Sequence, residues 1–184
     1  MNRLTRRKIS ALCEEIERVV SIGAPARPLI ISGVPNFSAG ADLNEISQLR
    51  GPDALAFAHA GQDLMNLIAH YPAVVLAGIS GYCMGGGLDL ALACHRRIAA
   101  PNAVFGHRGA ALGLMTGWGG TQRLPRLIGK ARALEMFVAA EKIHPAEALR
   151  IGLVAAVAED PVANALQNLT SIVSPVSTGR PSQV

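Results

Sequence analysis

Charge is scarce in this sequence: Asp, Glu, Lys and Arg make up 16% of 184 residues, against 50% hydrophobic ones. That balance excludes an intrinsically disordered chain, which needs the opposite ratio. Aromatics are also few, at 4%, and the apolar bulk is carried by Ala, Leu and Ile among many Gly. Cysteine is limited to Cys13, Cys83 and Cys94, an odd and scattered set with no metal or redox spacing. A disulfide framework is thereby excluded, and free packed thiols in a reducing compartment are expected. The basic start, Arg3, Arg6, Arg7 and Lys8, is followed by no apolar h-region, so no secretory signal is read. Glu14, Glu15 and Glu17 come too early for a mitochondrial presequence. Between Pro72 and Cys94 the one charged residue is Asp89, and the run is long enough for a membrane helix. Ser80-Gly81 and Gly85-Gly86-Gly87 interrupt it, so it reads as strand, loop and helix. The expectation is a soluble cytoplasmic protein with no membrane partner. No internal sequence repeat is visible.

What is present suits one domain with a self-sufficient core. The expected core spans 1–158, and 159–184 is expected to be a mobile tail, Ser/Thr/Pro/Gly-rich from Ser171. The formal charge of +4 favours phosphorylated partners in general without choosing among them. RNA binding rests on that balance alone, so nucleic acid is not the expected partner.

Apolar residues at Ile9, Leu12, Cys13, Ile16, Val19 and Val20 predict a one-faced helix over 8–20. Residues 28–32 and 73–79 predict buried strands. Short strands are predicted at 97–100 and 103–106, helices at 120–127, 130–140 and 145–151, and a last strand at 153–158. Residues 107–120 form a long Gly-rich loop, a length that in a compact domain tends to be functional. Strands alternating with helices predict an α/β domain, with ligands collecting where loops leave the strands.

Two loops meet that description. Phe37-Ser38-Ala39-Gly40-Ala41-Asp42 follows a strand and is expected to open a helix near Ala41. Gly81-Tyr82-Cys83-Met84-Gly85-Gly86-Gly87 does the same from Gly85. Helix starts carry N–H groups without intrahelical acceptors and a partial positive charge. Two that face each other could hold a developing oxyanion. The plainer reading is a pair of tight strand-to-helix turns.

Here the sequence resembles the crotonase family of enoyl-CoA hydratases and isomerases. Phe37–Asp42 resembles its first signature, and Gly81–Cys94 resembles the second. Phe105-Gly106, Leu112-Gly113-Leu114, Gly119–Ala131, Ala146-Glu147-Ala148 and Gly152-Leu153-Val154 follow in the family's order. The resemblance covers roughly residues 8–158. It implies a crotonase-like (ClpP/crotonase) spiral of ββα units, here without the usual first strands and C-terminal helical region. It implies acyl-CoA substrates of fatty acid metabolism, no metal and no organic cofactor beyond the coenzyme A thioester itself. The family's trimers or hexamers are the assembly it suggests.

The resemblance puts the oxyanion donors at the N–H groups of Ala41 and Gly86. Phe37, Ser38, Ala39, Gly40 and Asp42, with Met84 and Gly85, would run beside the coenzyme and thioester. The family's first catalytic glutamate falls at Asp89, one methylene shorter. The second falls at Gly109, which has no side chain. Asp89 reads either as a helix-dipole acid or as a site carboxylate. Its isolation in an apolar run favours the site, because an unpaired buried charge is expensive. His107 is a candidate acid or base. Arg108 could pair with Asp89 or meet an acyl carboxylate. Trp118 could line the acyl pocket or pack its loop, with packing the default. Two functions follow: an enoyl-CoA hydratase/isomerase-type enzyme, or, because of Gly109 and the short ends, an inactive acyl-CoA-binding or assembly protein.

Overall fold

The computed structural model describes residues 1–22 and 25–173. Its elements run β1 (Arg3–Leu4), α1 (Arg6–Ile22), β2 (Leu29–Ser32), β3 (Gly40–Ala41), α2 (Leu43–Gln48) and α3 (Gly51–Ala69). Next come β4 (Val75–Ile79), β5 (Tyr82–Met84), α4 (Gly86–Ala93), β6 (Arg96–Ala99) and β7 (Val104–Gly106). A 3₁₀ turn at Ala110–Leu112 leads to α5 (Gly120–Ile128), α6 (Lys130–Ala139), α7 (Pro145–Arg150), β8 (Ala156–Val157) and α8 (Pro161–Val173).

Strands β2, β4, β6 and β8 form one parallel sheet in the order β2-β4-β6-β8. Every residue of β4 is buried, which is why its sequence is a continuous apolar run rather than an alternating one. The second strand of each unit lies elsewhere: β5 pairs in parallel with β7, and a parallel bridge links Ser38, just before β3, to Cys83 in β5. The chain thus repeats strand, strand, helix in space although no repeat shows in its sequence. Residues 82–84, read from sequence as loop, are a strand because three residues with one ladder partner suffice; so short a run has no periodicity to detect.

The parallel second strands explain where a site can form. Their carboxyl ends point the same way, so Ala41, Met84-Gly85-Gly86 and His107 emerge side by side. Helix α4 sits behind them, buried from Gly87 to Ala93. Such a helix, apolar on all sides except at Asp89, belongs in a core.

The core passes the boundary expected at 158. Helix α8 packs on the sheet, and the fully buried Ala165 joins Leu76 and Ile98 in one cluster. Residues 161–173, expected as tail, therefore become part of the fold because a sheet face is available for the helix to cover. The expected mobility of 174–184 lies outside the described residues. Among the described residues no helix is long and apolar enough to cross a membrane.

Candidate active site

Two amides meet at the strand ends. Gly86 is the first residue of α4, so its N–H has no intrahelical acceptor. A Cβ built on Gly86 would stand 3.4 Å from the Ala41 nitrogen, and one on Gly40 would stand 3.0 Å from the Gly86 nitrogen. The two main-chain amides are thus neighbours. Gly85, the N-cap of α4, has φ +52° and ψ −121°, a conformation that side-chain-bearing residues rarely adopt. The glycine run is needed for this turn as well as for close approach.

The first turn differs from expectation. Ala41 ends β3 and lies before helix α2 rather than inside its start. Asp42 is the N-cap, and its carboxylate accepts from the N–H groups of Asn44 and Glu45. It also pairs with Arg3 at 3.3 Å, and these bonds hold its pKa low, the Glu45 amide first. The free donors of α2 are therefore consumed by the protein's own carboxylate. Both helix starts that the sequence suggested are present, but that of α2 is capped and only that of α4 leaves its first N–H free to face the cavity.

A cavity of about 380 Å³ opens over these amides. Ala39, Gly40, Ala41, Met84, Gly85, Gly86, Asp89, His107, Arg108, Gly109 and Trp118 line it. Phe37, Ser38 and Asp42 do not. Phe37 is buried in the core, and the Ser38 hydroxyl is engaged between the Asn2 carbonyl and the Gly40 N–H. Sequence reasoning missed much of the wall: Leu43, Ile46, Leu49, Phe57, Leu114, Met115 and Phe137. These come from α2, α3, α6 and the long loop, and only the packing of those elements brings them together. Their apolar character gives no local sign of a site.

Asp89 lies in the first turn of α4 with no exposed surface. Burial is the main cause that lifts its pKa to about 6; the Thr116 hydroxyl, the Arg123 charge and the Trp118 and Gly120 amides pull the other way. Its Oδ1 is 3.4 Å from Nε2 of His107, and neither atom has a well-formed hydrogen bond among the described residues. His107 is 3% exposed, packs on the Phe137 ring at 5.0 Å, and is lowered to about pKa 4 by burial. At neutral pH it is an uncharged imidazole facing a carboxylate. Arg108 is exposed at the cavity lip, and the close polar neighbour of Asp89 is the neutral His107 instead.

Trp118 is a wall residue and a packing residue at once. It lines the cavity and is also wedged against glycine backbone. A Cβ on Gly61 of α3 would lie 2.1 Å from its Nε1, and one on Gly86 would lie 2.4 Å from its Cζ3. The Phe57 ring stands 5.3 Å away at a tilt, a favoured aromatic geometry. Thr116 donates its hydroxyl to Oδ2 of Asp89.

Gly109 is closed to a side chain. A Cβ there would meet the Leu114 carbonyl oxygen at 2.6 Å, and the Gly109 carbonyl accepts from both Leu112 and Leu114. Gly109→Glu is therefore expected to lower the thermal midpoint and to yield no gain in hydration of a 2-enoyl thioester. A variant with an unchanged midpoint and raised hydration would contradict this geometry. Among the described residues no group of three or more His, Cys, Asp or Glu is placed to hold a metal ion.

Repeated ββα units whose second strands end at one pocket define the class, an α/β protein of the crotonase fold. The comparisons narrow this. The family described as Enoyl-CoA hydratase/isomerase matches residues 12–177, and the chain belongs to that family. It is 47% identical over 139 residues to a probable enoyl-CoA hydratase of Bacillus subtilis, covering 74% of this chain and 54% of that protein. The chain thus spans about half the length of that curated relative. A solved enoyl-CoA hydratase from Bacillus anthracis superposes with TM-score 0.87 at 33% identity, over 94% of this chain and 68% of that one. Pseudomonas aeruginosa DspI does so at 0.88 and 33%, over 95% and 72%.

Proposed function

We propose that this chain binds an acyl-CoA thioester and stabilises its enolate with the N–H groups of Ala41 and Gly86, with Asp89 as the acid/base. The observation that carries this reading is the adjacency of the two amides in a cavity that also contains a buried carboxylate. The thioester oxygen takes both hydrogen bonds, which strengthen as negative charge develops on it. The apolar wall takes the acyl chain. Being the one carboxylate among the described residues that line the cavity, Asp89 also limits the reaction. Hydration by two acids needs a second one, and Gly109 leaves that place empty. Isomerisation of a 3-enoyl thioester needs one. The Asp89 carboxylate takes a proton from C2, the C–H electron pair becomes part of a dienolate, and the same proton returns at C4. Atoms and electrons balance with no water consumed.

His107 keeps its place in this reading as a neutral group beside the proton that Asp89 carries. An inactive binding protein is less well supported, since a structural carboxylate without exposed surface would be costly with Oδ1 unpaired. The reducing, cytoplasmic setting inferred from the thiols is compatible, with Cys83 and Cys94 buried and free. The test is incubation with 3-enoyl- and trans-2-enoyl-CoA thioesters of several chain lengths, followed by mass and chromatographic analysis. Conversion of the 3-enoyl to the 2-enoyl isomer is expected. Thioester binding without any conversion would defeat the reading.

A further inference from the structure

Asp89 is held asymmetrically. Oδ2 receives the Thr116 hydroxyl, whereas Oδ1, although the Trp118 and Gly120 amides near the carboxylate favour its charge, has no well-formed hydrogen bond among the described residues and faces the equally unpartnered Nε2 of His107. Both residues line the cavity, as does Thr116. Thr116 sits on the loop between the 3₁₀ turn and α5, so its contact ties that loop to α4. Gly120 closes the other side: a Cβ there would lie 2.1 Å from Oδ1 and 3.0 Å from Nε2 of His107.

We propose that Thr116 is the positioning residue of Asp89: its hydroxyl proton engages Oδ2 and leaves Oδ1, beside His107, as the oxygen that takes the substrate proton and returns it. This rests on the reading of Asp89 as the acid/base. A carboxylate free to rotate about its Cβ–Cγ bond would present either oxygen. One that accepts a hydroxyl hydrogen bond on a fixed oxygen presents the other in a single direction, which is what a proton transfer between two carbons of one substrate requires.

The charged and titratable groups around Asp89 are few. His107 follows β7, Arg123 comes from α5 and Cys83 from β5; Phe137 of α6 is apolar. The Thr116 bond favours the ionised form, so losing it must move the titration of Asp89 upward.

The experiment compares wild type with Thr116→Val, Thr116→Ala and Thr116→Ser, following 3-enoyl-CoA isomerisation against pH and the Asp89 carboxyl by carbon-13 NMR. A hydrogen bond to a charged group corresponds to about one pH unit or more. Thr116→Val is expected to move both the rising limb of kcat/KM and the carboxyl titration up by that amount. It should lower kcat at least tenfold with KM little changed, and Thr116→Ser should return all three to wild type. Thr116→Ala gives the same reading if the valine variant does not fold. Limb and titration unmoved in both hydroxyl-less variants, with wild-type turnover intact, would overturn the role of Thr116 and leave that of Asp89 standing. Absence of isomerisation in the wild type would overturn the reaction and, with it, any part for Thr116.

Discussion

Asp89→Asn is expected to lose activity and gain stability together. A positioned acid/base contributes roughly 10²–10⁴ in rate, so kcat for 3-enoyl-CoA should fall by that range with KM little changed. The stability argument is separate. The carboxyl of Asp89 is raised from an ordinary 3.8 to about 6, chiefly by burial. The folded protein therefore holds this proton more tightly than the unfolded chain does. Below about pH 4 the site takes nothing from stability. As the pH rises through about 6 the charged form must be carried in the core, at a cost on the order of 3 kcal/mol. An amide avoids that cost, so urea denaturation at pH 7.5 should find Asp89→Asn more stable, with the difference closing towards pH 4. Wild-type kcat/KM should rise with pH through about 6 as the base ionises. A variant that retains full turnover, or that is less stable than wild type at pH 7.5, would rule out Asp89 as a strained functional acid.

The second large effect is expected at Gly86, and two variants separate its causes. Gly86→Ala keeps the N–H but introduces a Cβ 2.4 Å from Trp118 Cζ3 and 3.4 Å from the Ala41 nitrogen. The indole cannot retreat freely, because Gly61 lies against its other edge. Overpacking of this kind costs roughly 1–3 kcal/mol. Gly86→Pro brings the same crowding and also removes the donor. Proline is tolerated at the first position of a helix, where the N–H bonds nothing within the helix. The comparison of the two therefore reads the hydrogen bond to the thioester oxygen. Gly86→Pro should turn over 10²–10³-fold more slowly than Gly86→Ala, the usual effect of one oxyanion donor. Equal rates in the two variants would mean that the Gly86 amide does not face the developing charge.

Much of the site was legible because its signals are local. Gly85-Gly86 after an apolar strand marks a turn that only glycine makes easily, and the structure places it at the start of α4. Asp89 stood out as the one charge in a long apolar run and is buried at the cavity. Asp42 misled because an acid near a helix start has the same local signature whether it caps the helix or borders a ligand; the capping bonds decide for the cap. Thr116 carried no local signal, since it is 27 residues from Asp89 and threonine is ordinary in a loop. The boundary drawn at 158 failed for a related reason. The helix α8 gains its stability from a sheet face contributed by distant strands, which the local sequence does not reveal.

Composition, apolar runs and glycine turns by themselves determined the α/β class, the order of the main strands and helices, and the two backbone turns around Ala41 and Gly86. These depend on steric and solvation preferences that act within a few residues. The tertiary structure alone decided which wall residues face the cavity, that Gly109 has no room for the missing acid, and that Asp89 stands between Thr116 and His107. Those are contacts between segments far apart in the chain. Their energies, together with the burial that lifts the Asp89 carboxyl, come into existence only when the segments close on one another and exclude water.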